Sequence, residues 1–269
     1  MRVAYIQFHP TLNNPERNRS RLEQFLTAVT ADLVVMPELA NAGYNFSSMQ
    51  EVFSTAEDAE KGATIAMWRD IARQKRMAVV GGFAERQGDT CYNSAALIDR
   101  EGNVHIYRKL HLFGEESRWF SAGDEPPPVM TLAGAQVGVF ICFDWAFPEM
   151  ARILALKNAE IICHPSNVVT RFPPQAMVVR GVENRVFTIT ANRIGREEGA
   201  AGNLYFPGTS QVTTPDGEVP ARAGETGEET AVVEIQLSRA HDKRLAGYTD
   251  LFASRVPEMY TDLADHTNS

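Results

Sequence analysis

The segment Gly138-Val-Phe-Ile-Cys142-Phe-Asp144-Trp-Ala-Phe-Pro148-Glu149 constrains this chain more than any other. An apolar, strand-like run delivers one cysteine into a sharp turn, and a helix-forming stretch follows from Glu149 to Lys157. Strand, turn and helix in that order are the unit of a layered α/β fold. A thiol at the junction sits where backbone N–H groups point outward and can receive a developing negative charge. The competing reading is a small buried thiol in a hydrophobic run, which is the commoner fate of a lone cysteine.

Two other segments have the same design. Asp32-Leu-Val-Val-Met-Pro37-Glu38 is a short apolar strand that ends in proline and a carboxylate. His105-Ile-Tyr-Arg-Lys109-Leu-His111-Leu-Phe113 reads as a strand with a lysine among apolar neighbours. A charged side chain in such a setting is costly unless it is paired. A Glu, a Lys and a Cys held together would remove that cost and create chemistry. The carboxylate takes the thiol proton, and the ammonium stabilises the thiolate and a later oxyanion. Each residue alone is more commonly a surface or strand-end charge; the three in the same form argue for a site.

The rest of the chain fits a single layered domain. Strands are expected at Arg2–Phe8, Asp32–Met36, Met77–Phe83, Cys91–Ile98, Val104–Lys109, Val137–Cys142, Glu160–Cys163, Thr188–Asn192, Ser210–Thr213 and Thr230–Glu234. Helices are expected from Pro15 toward Val29 behind an Asn14 cap, and over Ala59–Gln74, Phe147–Leu156 and Pro174–Val186. The alternation points to α/β, and no linker or repeat divides the chain. The glycine-rich Gly195–Gly202 stretch reads as a surface loop; it lacks the Gly-Lys-Ser/Thr ending of a phosphate cradle. With 34 acidic and 26 basic residues the net charge is −8 and no Lys/Arg cluster stands out, so nucleic acid and anionic membranes are poor partners. No apolar run approaches the ~20 residues that span a bilayer, and the chain opens at once with a strand rather than a signal peptide. Three cysteines, Cys91, Cys142 and Cys163, are odd in number and lack metal-ligand spacing, which fits a reducing cytoplasm.

The order Pro37-Glu38, Tyr107-Arg108-Lys109-Leu-His111-Leu-Phe113, Ile141-Cys142-Phe-Asp144 and Phe147-Pro148-Glu149 resembles the nitrilase superfamily of carbon–nitrogen hydrolases. The likeness runs from Val3 to about Leu245, supported by Gly43-Tyr44-Asn45, Tyr92-Asn93-Ser94-Ala95, His164-Pro165-Ser166-Asn167 and Arg180-Gly-Val-Glu183-Asn184. It implies a four-layer α-β-β-α sandwich over residues 1–269, with a C-terminal extension from about 246 and subunits that pair helix face to helix face as homodimers. It also implies a second carboxylate between lysine and cysteine. Glu115 and Glu116 are the candidates; the spacing from Lys109 and Phe120 favours Glu116. Glu38 would be the general base, Cys142 the nucleophile, and Lys109 with the Phe143 N–H the oxyanion donors, with no metal or organic cofactor. Asp144 and Glu149 would order the turn and helix start, and Arg180, Glu183 and Asn184 would support the site from behind. His111, in an alternating apolar strand, reads as a core histidine, and neither it nor His164 is expected to pair with the thiol.

Substrate choice rests on what surrounds the nucleophile. Relatives that cleave N-carbamoyl amino acids carry an arginine pair after the cysteine; here the equivalent positions are Trp145 and Ala146. A substrate carboxylate would lack its bidentate partner. Tyr44, Trp119, Trp145 and Phe206 would give an aromatic, apolar pocket beside Asn167. The expectation is an amidase acting on a small neutral amide. A nitrilase or carbamoyl-amide hydrolase with the same chemistry stays open, as does a non-catalytic thiol-bearing binding protein.

Overall fold

The computed structural model describes residues 1–263. The first half of the chain gives β1 (Arg2–Gln7), β2 (Leu33–Val35), β3 (Ala78–Gln87), β4 (Thr90–Ile98) and β5 (Val104–Arg108). The second gives β6 (Val129–Leu132), β7 (Ala135–Val139), β8 (Ile161–Ser166), β9 (Phe187–Asn192), β10 (Ile194–Gly199), β11 (Gly202–Pro207), β12 (Gln211–Thr213), β13 (Ala221–Arg222) and β14 (Glu229–Glu234). Two six-stranded mixed sheets result, in the orders β14-β1-β2-β3-β4-β5 and β13-β12-β9-β8-β7-β6. Helices α1 (Pro15–Ala28), α2 (Met49–Thr55), α3 (Ala63–Lys75), α4 (Glu116–Trp119), α5 (Pro148–Leu156) and α6 (Pro173–Asn184) complete the main body.

Strand periodicity explains the four layers. In β1, Val3 and Tyr5 point one way and join Leu33, Val35, Val80 and Leu97 in a core shared with Val137, Val139, Ile161, Cys163 and Ile189 of the other sheet. Ala4 and Ile6 point the other way and pack with Val34, Val79 and Ile98 against Leu22 and Leu26 of α1 and Ile65, Trp68 and Ile71 of α3. That alternation is the period-2 signature of a sheet covered on both faces. Met150, Ala151 and Leu154 of α5 and Met177 of α6 belong to the second sheet's packing. Burying an aliphatic side chain of this size contributes roughly 1.5–3 kcal/mol, so the inter-sheet core is the main adhesive.

Some expectations from the sequence need correction. The strand before the nucleophile ends at Val139, not at Cys142. Gly195–Gly202, read as a surface loop, is instead most of the β10–β11 hairpin, with Gly199 opposite Gly202. His111 does not lie in a strand, since β5 stops at Arg108, and its side chain is 29% exposed. Beyond residue 246 the chain continues through a short strand at Thr249–Asp250 and turns at Pro257–Met259 and Thr261–Leu263, and Phe252 packs on the main core. Residues 264–269 of the expected extension lie outside the described part.

Candidate active site

The two sheets bring together the ends of β2, β5 and β7. Past β2 the chain turns through Pro37-Glu38-Leu39, with Leu39 at φ +46°. Gly82 of β3 lies directly beneath; a Cβ there would come within 2.4 Å of the Glu38 Cα, so only glycine lets this turn sit on the sheet. Lys109 is the first residue past β5, its N–H donating to the Asn93 carbonyl of β4 at 2.9 Å. Glu116 opens α4. Cys142 opens a 3₁₀ turn, Cys142–Ala146, at φ +38°, a backbone region that non-glycine residues seldom adopt.

One ammonium joins two of these groups. Lys109 Nζ donates to Glu38 Oε1 at 2.7 Å and to Glu116 Oε1 at 2.8 Å, and the three side chains are 0–3% exposed. Asn93 Nδ2 donates to Glu38 Oε1 at 2.7 Å, and Tyr44 Oη donates to Glu116 Oε1 at 2.7 Å. Glu38 Oε2 is buried and has no hydrogen-bond partner among the described residues. Of the two candidate carboxylates, Glu116 is the one on Lys109; Glu115 is 41% exposed and paired with Arg118 at 2.5 Å.

Cys142 is 7% exposed. Burial, and after it the Glu38 charge, hold its thiol well above its ordinary pKa, with Lys109 and the Asn167 N–H pulling the other way. Burial also opposes the charge on Lys109, but Glu116 and Glu38 outweigh it and raise the ammonium's pKa. Burial raises that of Glu116, with Lys109 opposing and Glu38 adding to the rise. Both shifts favour a neutral thiol beside a charged lysine. His164 is no partner for the sulfur. Its Nε2 lies 3.0 Å from the Cys142 carbonyl, and burial lowers its pKa to about 4.

Asp144 fixes the nucleophile's turn. Its fully buried carboxylate accepts the Ile141 N–H and the Tyr107 hydroxyl, both at 2.9 Å. The His111 N–H (3.1 Å) and His111 Nδ1 (2.7 Å) also reach it, and His111 stacks on Phe147. Behind the turn Arg180 donates to the Trp145 carbonyl at 3.2 Å and pairs with Glu183, and Asn184 ties back to the Arg180 carbonyl. Glu149, exposed, stands in the first turn of α5.

Cys142 opens onto a cavity of about 230 Å³ lined by Phe113, Phe143, Trp145, Val168, Phe172 and Asn167, among others. Both polar atoms of the Asn167 side-chain amide are buried without a hydrogen-bond partner among the described residues. Tyr44 and Trp119 line a different cavity, of about 300 Å³, on the Glu116 side. Phe206, expected in the pocket wall, lies fully buried beneath Tyr44, edge-on at 5.9 Å. Sequence reasoning gave no role to Asn93, which entered only as part of the Tyr92–Ala95 segment, nor to Phe113 and Phe172. It also missed the buried Arg193–Glu197 pair, whose Glu197 Oε2 accepts the N–H groups of Tyr44 (3.0 Å) and Asn45 (2.9 Å). Among the described residues no group of three or more His, Cys, Asp or Glu is arranged to hold a metal ion.

Known proteins resemble this chain over most of its length. A protein of Pyrococcus abyssi named nitrilase is 43% identical over 97% of this chain and 99% of its own length. An (R)-stereoselective amidase of a Pseudomonas species is 35% identical, covering 89% of this chain and 86% of that one. A crystallised variant of the amidase from Nesterenkonia sp. AN1, with acrylamide added to its active-site cysteine, superposes with a TM-score of 0.83 at 26% identity, over 98% of this chain and 99% of that one. The carbon-nitrogen hydrolase family model matches residues 2–244, and the chain belongs to that family, as a hydrolase of the nitrilase superfamily.

Proposed function

We propose that this enzyme hydrolyses the carbon–nitrogen bond of a small neutral amide through a thioester on Cys142, with Glu38 as base and acid. The observation that carries the reading is the single buried ammonium shared by two carboxylates, one of which keeps a free oxygen. Glu38 Oε2 has no hydrogen-bond partner among the described residues, and the Cys142 thiol, kept protonated by its surroundings, has a proton to give. As sulfur attacks the carbonyl carbon, that proton passes to Glu38 and the carbonyl oxygen becomes negative. The total charge around Lys109 is unchanged; one negative charge has moved from Glu38 to the oxyanion while the ammonium stays between them. The Phe143 N–H, next to the nucleophile, is the second oxyanion donor. One such donor contributes roughly 3 kcal/mol to the transition state. Glu38 then protonates the leaving nitrogen, the C–N bond breaks, and an activated water releases the acid.

Glu116 orients Lys109 and, with Tyr44, holds the far side of the ammonium. Support for a neutral substrate comes from the cavity on Cys142, whose lining includes no Lys or Arg. Arg171 is 78% exposed and leans toward Glu225 at 3.5 Å. The 43%-identical nitrilase favours a second reading, in which a nitrile carbon takes the place of the carbonyl. Exposed Ile153 and Leu156 on α5 and Val179 on α6 support a homodimer through that helical face. Three unpaired cysteines support a cytoplasmic setting.

Ammonia and acid release from matched amides, nitriles and carbamoyl compounds is the test. Cys142→Ala is expected to abolish turnover with the fold intact, while Cys91→Ala and Cys163→Ala keep most of it. Full activity in Cys142→Ala refutes the thioester. Faster turnover of the nitrile than of the amide promotes the second reading.

A further inference from the structure

We propose that the cavity on the Glu116 side is a subsite for an uncharged alkyl group on the leaving nitrogen, so that N-alkyl amides are substrates. This rests on the amide-hydrolase reading above. An amide has two substituents, one on carbon and one on nitrogen, and two neighbouring cavities, here its two lobes, adjoin Cys142 and Glu116 respectively. Cys142 and the aromatic residues Phe143, Trp145 and Phe172 line one lobe, which suits the acyl group that ends on sulfur. Glu116, Tyr44, Trp119, Val169, Ala201 and Leu204 line the other, of about 300 Å³. Phe113 and Val169 border both. Glu116, in the wall of the second lobe, is joined through Lys109 to Glu38, the group that protonates the leaving nitrogen. A nitrogen protonated by Glu38 thus leaves with an open, mostly apolar space ahead of it.

The wall of that second lobe is built rigidly. Ala201 and Leu204 belong to the β10–β11 hairpin and its turn, which is tied to the Tyr44–Asn45 loop. Asn45 Nδ2 donates to the Gly202 carbonyl at 2.7 Å, and Asn45 Oδ1 accepts the Ala201 N–H at 3.0 Å. Glu197, paired with the fully buried Arg193, accepts both loop N–H groups. Gly199 packs so closely on Asn45 that a Cβ would meet its carbonyl oxygen at 1.7 Å. A space with fixed walls needs no ordering when it is filled, so buried alkyl surface counts nearly in full.

The step balances as follows. R–CO–NH–R′ and the thiol give R–CO–S–Cys142 and H₂N–R′, the nitrogen taking the thiol's proton by way of Glu38. Water then gives R–COOH and restores the thiol.

The test uses propionamide and its N-methyl and N-butyl derivatives on the wild type, Ala201→Phe and Leu204→Trp, following propionate and amine release, with a thermal melt of each protein. The N-methyl compound shares the leaving-group chemistry of the N-butyl one but barely enters the lobe. Wild type is expected to favour N-butyl over N-methyl by about tenfold or more in kcat/KM, the selectivity that a few buried methylenes confer. At least one filled variant is expected to lose that preference, judged as a ratio within each protein. No N-butyl preference in the wild type, or one that survives in both folded variants, overturns the subsite. Release of ammonia from propionamide in either of those cases leaves the amidase reading standing, whereas a wild type inert to all three compounds overturns both.

Discussion

Replacing Lys109 with methionine is the sharpest test of the ion-paired centre, because it keeps the stem and removes only the charge. In the wild type the ammonium lies within 2.8 Å of both carboxylates, in a site where the three side chains are 0–3% exposed. Without it two carboxylates face each other. At roughly 5 Å and an effective dielectric near 20 their repulsion is about 3 kcal/mol. Removing one partner of a buried pair costs about 3–5 kcal/mol in measured cases, a large part of the roughly 5–15 kcal/mol that stabilises an ordinary domain. The variant escapes part of this by holding one carboxyl protonated. That carboxyl then has a folded pKa above its unfolded value of about 4.3. It binds more protons folded than unfolded, so stability falls as pH rises from the unfolded value to the raised one. The deficit against wild type is therefore expected to be larger at pH 8 than at pH 5 in chemical denaturation. Lys109→Met/Glu116→Gln removes the repulsion and is expected to recover most of the stability. Neither variant should recover acyl-enzyme formation, which loses at least about 10³-fold with the main oxyanion donor gone. Wild-type stability at pH 8, or normal turnover, in Lys109→Met would refute the shared-ammonium argument.

The parts of this molecule that were legible in the sequence are those where burial repeats with a period. Val3 and Tyr5 against Ala4 and Ile6, or Ile65, Trp68, Ile71 and Ala72 along α3, reveal their elements because a covered face must be apolar at every turn. Glu38, Lys109 and Cys142 were legible for the opposite reason: each interrupts such a pattern at a strand end. The edge strand β6 and the one- and two-turn helices α4 and α2 carry too few residues to show a period. The β10–β11 hairpin hid behind its glycines and charges. Arg196, Glu197 and Glu198 look like a solvated run, yet Glu197 is 6% exposed because Arg193 lies buried beside it. A buried pair of opposite charges leaves no hydropathy signature. Pairing was the other hidden quantity. Read alone, Lys109 is a strand-end charge whose loss would cost little stability. Its position between two carboxylates, from a turn after β2 and a helix after β5, depends on three chain segments meeting, and no spacing within one segment encodes that.

Two further outcomes test the surroundings of the centre. Asp144→Asn keeps the shape but replaces a carboxylate that accepts from the backbone of Ile141 and His111, Tyr107 and the His111 ring with an amide that must donate on one side. It is expected to cost about 1–3 kcal/mol in a denaturation midpoint analysis, because a buried group is left unmatched, and to lower kcat more than it raises KM as the Cys142 turn loosens. Charge selectivity is decided by the cavity on Cys142. A substrate carboxylate there would be desolvated among Phe143, Trp145 and Phe172, with Glu38 and Glu116 close by and no lining cation. Desolvation and repulsion act in the same direction. A small neutral amide is therefore expected to exceed the matched N-carbamoyl amino acid in kcat/KM by at least about a hundredfold, on the order of 3 kcal/mol. Arg171, in the loop beyond Asn167, could reverse this by swinging inward from its exposed position opposite Glu225. Measuring both substrates on the wild type and on Arg171→Ala separates the cases. A carboxylate preference that disappears in the variant would mean that the loop carries its own counter-ion to the pocket, and the neutral-amide reading would fall.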